Sequence, residues 1–230
     1  VGTGIYNELT DFTRLKGALS ENEQLKKQIA QLTEDNNRLQ AERSELERLR
    51  ELYQLDQEYM QYDKIGARVI ARDSEKWFQV FRINKGSADG VKVDMNVVAD
   101  GGLVGIVTDV GANYATVRSI IDDSSRVSAM PVDSDYTCIV AGDLTQYEQG
   151  RLRITDFSKE GVVADGDQII TSNISSKFLP GILIGYAADV TVDSEHLTQS
   201  GYLIPVVDFD NLQEVLIITD VKDMGEGEGQ

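Results

Sequence analysis

The sequence is poor in the residue types that build disulfides, metal clusters and histidine-dependent active sites. Its 230 residues include one cysteine, Cys138, and one histidine, His196. A single cysteine excludes an internal disulfide and argues against a cysteine-based metal cluster. Because Cys138 lies in the apolar stretch TCIVAG, we expect it to be a buried small hydrophobe. No cofactor or metal is predicted.

Long apolar runs and basic residues are also scarce. No stretch approaches the ~18 apolar residues that a membrane-spanning helix needs, and no signal peptide is visible at the start. Since the chain begins at Val1 and not at Met, we expect that an upstream segment has been removed. The 22 Lys and Arg face 39 Asp and Glu, a net charge of −17 that argues against a nucleic-acid partner. The hydrophobic share of 41% is enough for a folded core.

Residues 20–62 have the composition of one long helix. They are rich in Glu, Gln, Lys, Arg and Leu and contain neither proline nor glycine. Ser20 followed by Glu23 matches a capping box, the pattern that opens many helices. At ~1.5 Å per residue such a helix would be roughly 65 Å long, which is too long to pack along one small domain.

A heptad pattern within this helix predicts a coiled coil. The residues that define its seam are Leu25, Ile29, Leu32, Asn36, Leu39 and Leu46. With Ile29 at position a, leucine fills most d positions, whereas several a positions are polar, among them Asn36. Leucine at d with a single amide at a favours a parallel dimer, because two facing Asn side chains hydrogen-bond in only one register. We therefore expect a weak coil in which Asn36 lowers stability and raises specificity.

Beyond Leu46 the apolar stripe moves to new positions: Leu49, Leu52, Leu55 and Tyr59. Such a break in the heptad predicts that the end of the helix packs on the region that follows. An alternative is that the whole helix is amphipathic and lies on its own β domain.

The sequence pattern changes at Ile65. From there on, short apolar or alternating runs separated by Gly, Asp and Asn predict about a dozen strands. The set is partly duplicated: GVKVDMNVV (90–98) matches GVVADGDQI (161–169), and YATVRSIID (114–122) matches YLIPVVDFD (202–210). The predicted fold is mainly β, with two six-stranded barrels. The predicted domains are 1–19, the helix 20–62, a first barrel 65–133, a second barrel 134–221 and a disordered tail 222–230. A single twelve-strand sandwich, or final strands that return to the first barrel, remains open.

Four glycines have predicted structural roles. Gly90 and Gly161 lie where a hairpin needs positive φ, and Gly105 and Gly185 lie inside strands, where a bend or a close backbone approach needs a residue without a side chain. None belongs to a phosphate-binding loop, because neither GGLVG nor GSADG leads into a helix.

Paired small barrels also occur in chymotrypsin-like proteases, which depend on a catalytic triad. His196 lies in the polar stretch VDSEHLTQSG, and no nucleophile motif accompanies it. Ser87, Ser128 and Ser200 have ordinary turn or strand explanations. The acidic pairs Asp122–Asp123 and Asp133–Asp135 match turns that aspartate caps, and the adjacent Trp77 and Phe78 point to opposite faces of one strand. No catalytic residue is predicted.

Two blocks carry a family resemblance. NKGSADGV (84–91) leading to GLVGIV (102–107), and LPGILIG (179–185), follow a coiled coil in a sequence that resembles the MreC family of rod shape-determining proteins. The resemblance runs from about residue 20 to 220. It implies a membrane anchor upstream, so that residues 1–19 would be membrane-proximal and the chain would lie outside the cell membrane.

The resemblance also implies a function. Proteins of this family are non-enzymatic scaffolds of the cell-elongation machinery that dimerise or assemble further. They act with MreD, MreB and a class B penicillin-binding protein that synthesises peptidoglycan. Two alternatives stay open: a protease-like or ligand-binding double barrel without a recognisable triad, and an adaptor subunit of a transporter.

Overall fold

The computed structural model describes residues 2–59, 61–72, 79–134, 136–157, 163–192 and 199–222. The chain divides into two compact units, residues 1–50 and 51–230. The helices are α1 (Gly2–Glu58) and α2 (Leu144–Tyr147). The strands are β1 (Lys64–Arg72), β2 (Val80–Ile83), β3 (Asn96–Ala99), β4 (Gly102–Val110), β5 (Ala115–Ser119), β6 (Arg126–Pro131), β7 (Cys138–Ala141), β8 (Leu152–Thr155), β9 (Gln168–Thr171), β10 (Leu183–Val192), β11 (Gln199–Pro205) and β12 (Glu214–Ile218).

Helix α1 begins earlier and ends earlier than the sequence predicts. It starts at Gly2, so Ser20 lies inside the helix and does not cap its start. Glycine at position 17 costs about 1 kcal/mol in a helix, too little to end one that continues on both sides. At the other end the chain turns after Glu58, where the N–H of Tyr62 donates to the carbonyl of Tyr59 at 3.1 Å.

The strands form two closed six-stranded barrels, which confirms the predicted fold class and excludes the single sandwich. Barrel 1 has the order β1-β12-β3-β4-β5-β2, and barrel 2 has the order β10-β11-β8-β7-β6-β9. Each barrel closes through antiparallel pairing, so every strand that the structure describes pairs with a neighbour on both sides. The duplicated segments occupy equivalent places, because β3-β4-β5 and β9-β10-β11 are consecutive neighbours in their barrels.

The sixth and the twelfth strand do not join the barrel of the strands that precede them in the sequence. Strand β6 follows β5 of barrel 1 but pairs with β7 and β9 of barrel 2. Strand β12 follows β11 of barrel 2 but pairs with β1 and β3 of barrel 1. The chain therefore crosses between barrels twice: barrel 2 is built from the consecutive strands β6–β11, whereas barrel 1 needs the last strand, β12, to close.

This strand order corrects the predicted domain boundary near Asp133. Strand β6 ends at Pro131 and β7 begins at Cys138, and the two pair antiparallel through Arg126↔Ala141 and Ala129↔Cys138. The turn residues there end a strand of barrel 2 and do not separate two domains. The crossing lies instead between β5 and β6, and the alternative in which the last strands return to barrel 1 is correct for β12 alone.

Large aliphatic side chains fill both barrels. The large apolar side chains with less than 2% exposure are Ile83, Met95, Leu103, Ile120, Ile121, Leu152, Ile154, Ile169, Ile182, Ile184, Leu203, Ile217 and Ile218. They belong to one continuous cluster that runs through both barrels. Many lie at inward-facing strand positions, since side chains in a strand point alternately inward and outward, whereas Met95, Ile120, Ile121 and Ile182 lie just outside strands.

Two short helical segments lie among the strands, although the sequence shows no helical pattern after Tyr62. Strand β2 is followed by one 3-10 turn, Ser87–Asp89, and Leu144–Tyr147 form α2. The N–H of Gln146 donates to the Asp143 carboxylate at 3.1 Å, an N-cap bond that stabilises the start of so short a helix. Both segments are too short to give a periodic apolar pattern. Of the predicted tail 222–230, residues 223–230 lie outside the described residues.

Candidate functional site: the helix seam and the barrel joint

The predicted seam of α1 is exposed along its length. Its aliphatic members have exposures of 50% for Leu25, 62% for Ile29, 68% for Leu32, 59% for Leu39 and 48% for Leu46. Asn36 lies among them and is also exposed. The helix thus presents a row of large apolar side chains to solvent, a surface of the kind that a second helix covers in a coiled coil.

Charged side chains beside the seam interact along the same helix. The Arg38 guanidinium lies 3.0 Å from the Asp35 carboxylate and 3.8 Å from the Glu42 carboxylate. Arg48 pairs with Glu45 in the same way. Such pairs three or four residues apart stabilise a helix by about 0.2–0.5 kcal/mol each, so they support the single helix while its apolar row stays uncovered.

The end of α1 joins the barrels through Tyr59, which is 4% exposed. Its hydroxyl donates to the carbonyl of Gly101 at 2.9 Å, between β3 and β4 of barrel 1. The same hydroxyl accepts the N–H of Leu183 at 3.2 Å, at the start of β10 in barrel 2. One phenol therefore bonds to the backbone of both barrels.

Two neighbouring side chains strengthen this attachment. The Tyr62 hydroxyl donates to the carbonyl of Pro180 at 2.9 Å, and burial together with the Asp220 carboxylate raises the pKa of its phenol. The Lys64 ammonium donates to the carbonyl of Tyr59 at 2.6 Å, which places a cation at the C-terminal end of the helix.

Leu52, in the last turns of α1, also packs against the barrel core. The predicted shift of the apolar stripe is thus confirmed for Leu52 and Tyr59, whereas Leu49 is 52% exposed.

Asn96 forms a buried bridge between the barrels. The sequence analysis did not predict this role. It is the first residue of β3 in barrel 1 and is 0% exposed. The amide oxygen accepts the N–H of Leu179 at 2.7 Å, and the amide nitrogen donates to the carbonyl of Lys177 at 3.1 Å. Its signal was a polar residue inside the otherwise apolar run MNVVA.

Close packing and charge complete the joint. A Cβ at Gly102 would lie 2.2 Å from the Cγ1 atom of Val206, so only glycine fits there without a shift. The Lys177 ammonium lies 3.5 Å from the Asp94 carboxylate, and the N–H of Asp208 donates to the Asp100 carboxylate at 3.3 Å. The barrels are therefore held together by backbone-directed hydrogen bonds and by contact without space for a side chain.

The predicted structural glycines lie at close approaches and turns. A Cβ at Gly105 would lie 2.0 Å from the carbonyl oxygen of Arg118, and one at Gly185 would lie 2.1 Å from that of Ile204. Gly90 has φ of 92° and follows the 3-10 turn, not a hairpin. Gly161 lies outside the described residues.

Cys138 is 1% exposed in β7, which confirms the predicted buried thiol. Burial raises its pKa to about 12. Because the thiolate is the reactive form of cysteine, this thiol should be inert in the folded chain.

The residues considered for catalysis have structural partners or fall outside the described part of the chain. The Asp122 carboxylate accepts the N–H of Ser124 at 2.9 Å, and the Asp123 carboxylate accepts the N–H of Leu144 at 2.9 Å. Ser87 begins the 3-10 turn. In the ranges that the structure describes, no group of three His, Cys, Asp or Glu residues is arranged to hold a metal ion. Outside those ranges lie Trp77, Phe78, Asp135 and His196.

Comparison with known families matches residues 69–219 to "Rod shape-determining protein MreC, barrel core". The match begins within β1 and ends just after β12, so it spans both barrels. The chain belongs to the MreC family. Among curated members, the cell shape-determining protein MreC of Listeria monocytogenes is 30% identical over 208 residues, which cover 89% of this chain and 70% of that protein.

Solved MreC structures share the fold. The structure of MreC from Listeria monocytogenes has a TM-score of 0.62 and 31% identity, covering 86% of this chain and 95% of that one. A complex between penicillin-binding protein (PBP2) and MreC from Helicobacter pylori contains a chain with a TM-score of 0.51 and 12% identity, covering 69% of this chain and 100% of that one. In the described part of this chain, no helix is long and apolar enough to span a membrane.

Proposed function

We propose that this MreC-family chain is a non-enzymatic scaffold of the bacterial cell-elongation complex. It pairs with a second copy through α1 and presents two barrel pairs to a class B penicillin-binding protein that synthesises peptidoglycan. The observation that carries the proposal is the exposed aliphatic row of a helix that is followed directly by Tyr59, whose hydroxyl is hydrogen-bonded to both barrels of an MreC-family chain.

Geometry supports pairing through the helix. A parallel two-stranded coil is symmetric, so it carries two copies of each barrel surface at the same height. Facing Asn36 side chains would keep the helices in one register. If each barrel binds its partner weakly, two linked copies raise the effective concentration and strengthen the assembly without a new contact.

The family supplies the partners of the proposal. Penicillin-binding protein is the partner in the solved Helicobacter pylori complex, and MreD and MreB complete the assembly by the resemblance noted above. The proposed location is outside the cell membrane, with a single-pass anchor upstream of this chain. No residue of the chain is assigned a catalytic role.

The test uses the full chain and a variant that breaks the seam, Leu32→Glu with Leu39→Glu. A charge at a d position of a coiled coil loses its apolar contact and repels the identical charge of the partner helix. The matched control is Leu19→Glu, which changes a leucine of 60% exposure outside the a and d positions. Sedimentation velocity measures the oligomeric state. Surface plasmon resonance measures the affinity for the immobilised extracytoplasmic part of the same organism's class B penicillin-binding protein.

We expect the wild-type chain and Leu19→Glu to be dimers that bind the partner, and the seam variant to be a monomer that binds more weakly. A seam variant that remains dimeric would disprove pairing through α1. A wild-type chain that does not bind the penicillin-binding protein would remove the central support for the scaffold.

A further inference from the structure

Four residues form one row across the outside of barrel 2. Val132, just after β6, donates its N–H to the carbonyl of Gln168 in β9 at 3.0 Å. Gln168 is the cross-strand neighbour of Tyr186 in β10, and Tyr186 is the neighbour of Ile204 in β11. All four side chains are exposed, while adjacent positions of the same strands are buried: Pro131, Ile169, Ala187 and Leu203. We call these four residues the outer row.

The outer row is apolar at three of its four positions. Val132 is 46% exposed, Tyr186 39% and Ile204 52%. A single exposed apolar residue is ordinary, but several in register make a contiguous patch of the kind that marks interaction sites. A second row lies next to the outer row on barrel 2 and consists of Met130, Ile170 and Leu183, which are cross-strand neighbours. All three are apolar and half-buried.

A groove continues the outer row at its Val132 end. It has a volume of about 440 Å³ and is lined by Pro131, Val132, Asp133, Ser134, Gly166, Asp167 and Gln168. Two carboxylates therefore lie beside the apolar patch. The Asp167 carboxylate accepts the N–H of Ala164 at 2.8 Å, which fixes its position in the turn before β9.

The opposite end of the patch carries arginines that are already in ion pairs. The Arg153 guanidinium lies 3.5 Å from the Asp143 carboxylate, and that of Arg151 lies 3.4 Å from the Asp189 carboxylate. Arg151 also stacks on Tyr202, with 3.8 Å between the guanidinium carbon and the ring centroid. The groove end is thus the acidic end of the patch.

We infer that the outer row and its groove are the docking surface for a segment of the penicillin-binding protein that presents apolar side chains beside a lysine or arginine. This inference rests on the proposed function. The apolar side chains would cover Tyr186 and Ile204, and the cation would enter the groove beside Asp133 and Asp167. A second copy of this chain fits less well, because it brings a net charge of −17 to an acidic groove.

The chain offers a matched pair of substitutions for the test. Ile204→Glu places a charge at the most exposed apolar residue of the outer row, and Ile70→Glu places the same charge at a similarly exposed isoleucine of barrel 1. Their exposures are 52% and 54%. Both variants are made in the full chain, and circular dichroism verifies that each is folded. Binding to the extracytoplasmic part of the same organism's class B penicillin-binding protein is then measured at two salt concentrations.

We expect Ile204→Glu to weaken binding by roughly tenfold or more, as loss of an apolar interface anchor does, and Ile70→Glu to leave it within about twofold of the wild type. Asp133→Asn should weaken binding less and flatten its salt dependence, because it removes one exposed carboxylate. These results together would support the docking surface.

The other outcomes separate this inference from the proposed function. If the wild type binds and Ile204→Glu binds as tightly as Ile70→Glu, the docking surface is wrong and the scaffold proposal stands. If the wild type does not bind, both are wrong. If Ile204→Glu leaves partner binding unchanged but lowers self-association in sedimentation, the surface binds a second copy, which also overturns the inference.

Discussion

In the two barrels, thirteen large apolar side chains are less than 2% exposed, whereas the five aliphatic residues of the predicted seam of α1 are 48–68% exposed. The barrels therefore obtain their hydrophobic stabilisation within one chain, at about 25 cal/mol per Å² of buried apolar surface. The helix seam can obtain it only from another molecule. Barrel stability should thus be independent of protein concentration, while coil formation should depend on it.

Two asparagines make the same contrast. Asn96 is completely buried, and its side chain bonds to the backbone at Lys177 and Leu179. Asn36 is exposed on the seam of α1. An amide in the barrel joint stabilises the fold that surrounds it, whereas an amide in a coiled-coil seam lowers stability and restricts register.

The largest expected effect comes from truncating the barrel core. Ile217→Ala removes a side chain of 0% exposure from β12, the last strand, which closes barrel 1. We expect the free energy of unfolding to fall by about 2–5 kcal/mol, because the substitution leaves a cavity. Urea denaturation followed by circular dichroism measures it at protein concentrations where the coil is dissociated.

Leu39→Ala in the seam is the matched control for that experiment. At the same low concentration it should leave the barrel transition unchanged, since Leu39 is 59% exposed. An equal shift of the barrel transition by both substitutions would contradict the division between intrachain and interchain burial.

A smaller loss is expected for Asn96→Ala. The substitution leaves the N–H of Leu179 and the carbonyl of Lys177 without their side-chain partner inside the joint. Unsatisfied buried groups of this kind cost about 1–3 kcal/mol, so the denaturation midpoint should fall while the slope stays the same. Asn113→Ala, at an exposed asparagine between β4 and β5, is the control and should have no measurable effect. A stable Asn96→Ala variant would show that the joint does not depend on this bridge.

The smallest change is expected for Asn36→Val, and it has the opposite sign. Replacing the seam amide with an apolar residue should stabilise the coil slightly, by less than the losses expected above, while admitting trimers or other registers. Sedimentation equilibrium gives the oligomeric state, and disulfide crosslinking of single cysteines placed along α1 gives the register. The buried Cys138 should not interfere, because its pKa is about 12. Unchanged stability, oligomeric state and register would refute the role of Asn36.

Much of the fold was predictable because it follows from short-range patterns. Alternation with period 2 predicts strands, and the spacing of Leu25, Ile29, Leu32 and Leu39 predicts a helix seam, since both patterns depend only on neighbouring residues. The start of α1 was wrong for the same reason: Ser20 and Glu23 match a capping box locally, but the helical residues before them make it an interior segment.

The apolar row of α1 was predictable residue by residue, whereas the barrel joint and the outer row were not. Tyr59 bonds to backbone atoms 42 and 124 positions away, and no local pattern gives such a separation. The outer row likewise exists only because β6, β9, β10 and β11 are neighbours in barrel 2. Its residues come from three strands and from the position just after β6, which are distant from one another in the sequence.

The sequence by itself determined the long helix, its apolar row, the approximate number of strands and the family, because each depends on local periodicity or on short motifs. The tertiary structure alone decided that β6 and β12 change barrels, that Tyr59 and Asn96 hold the joint, and that Val132, Tyr186 and Ile204 share one face. Strand partners are selected by packing and hydrogen bonding between distant segments. That selection is a property of the closed barrels and cannot be read from any single segment.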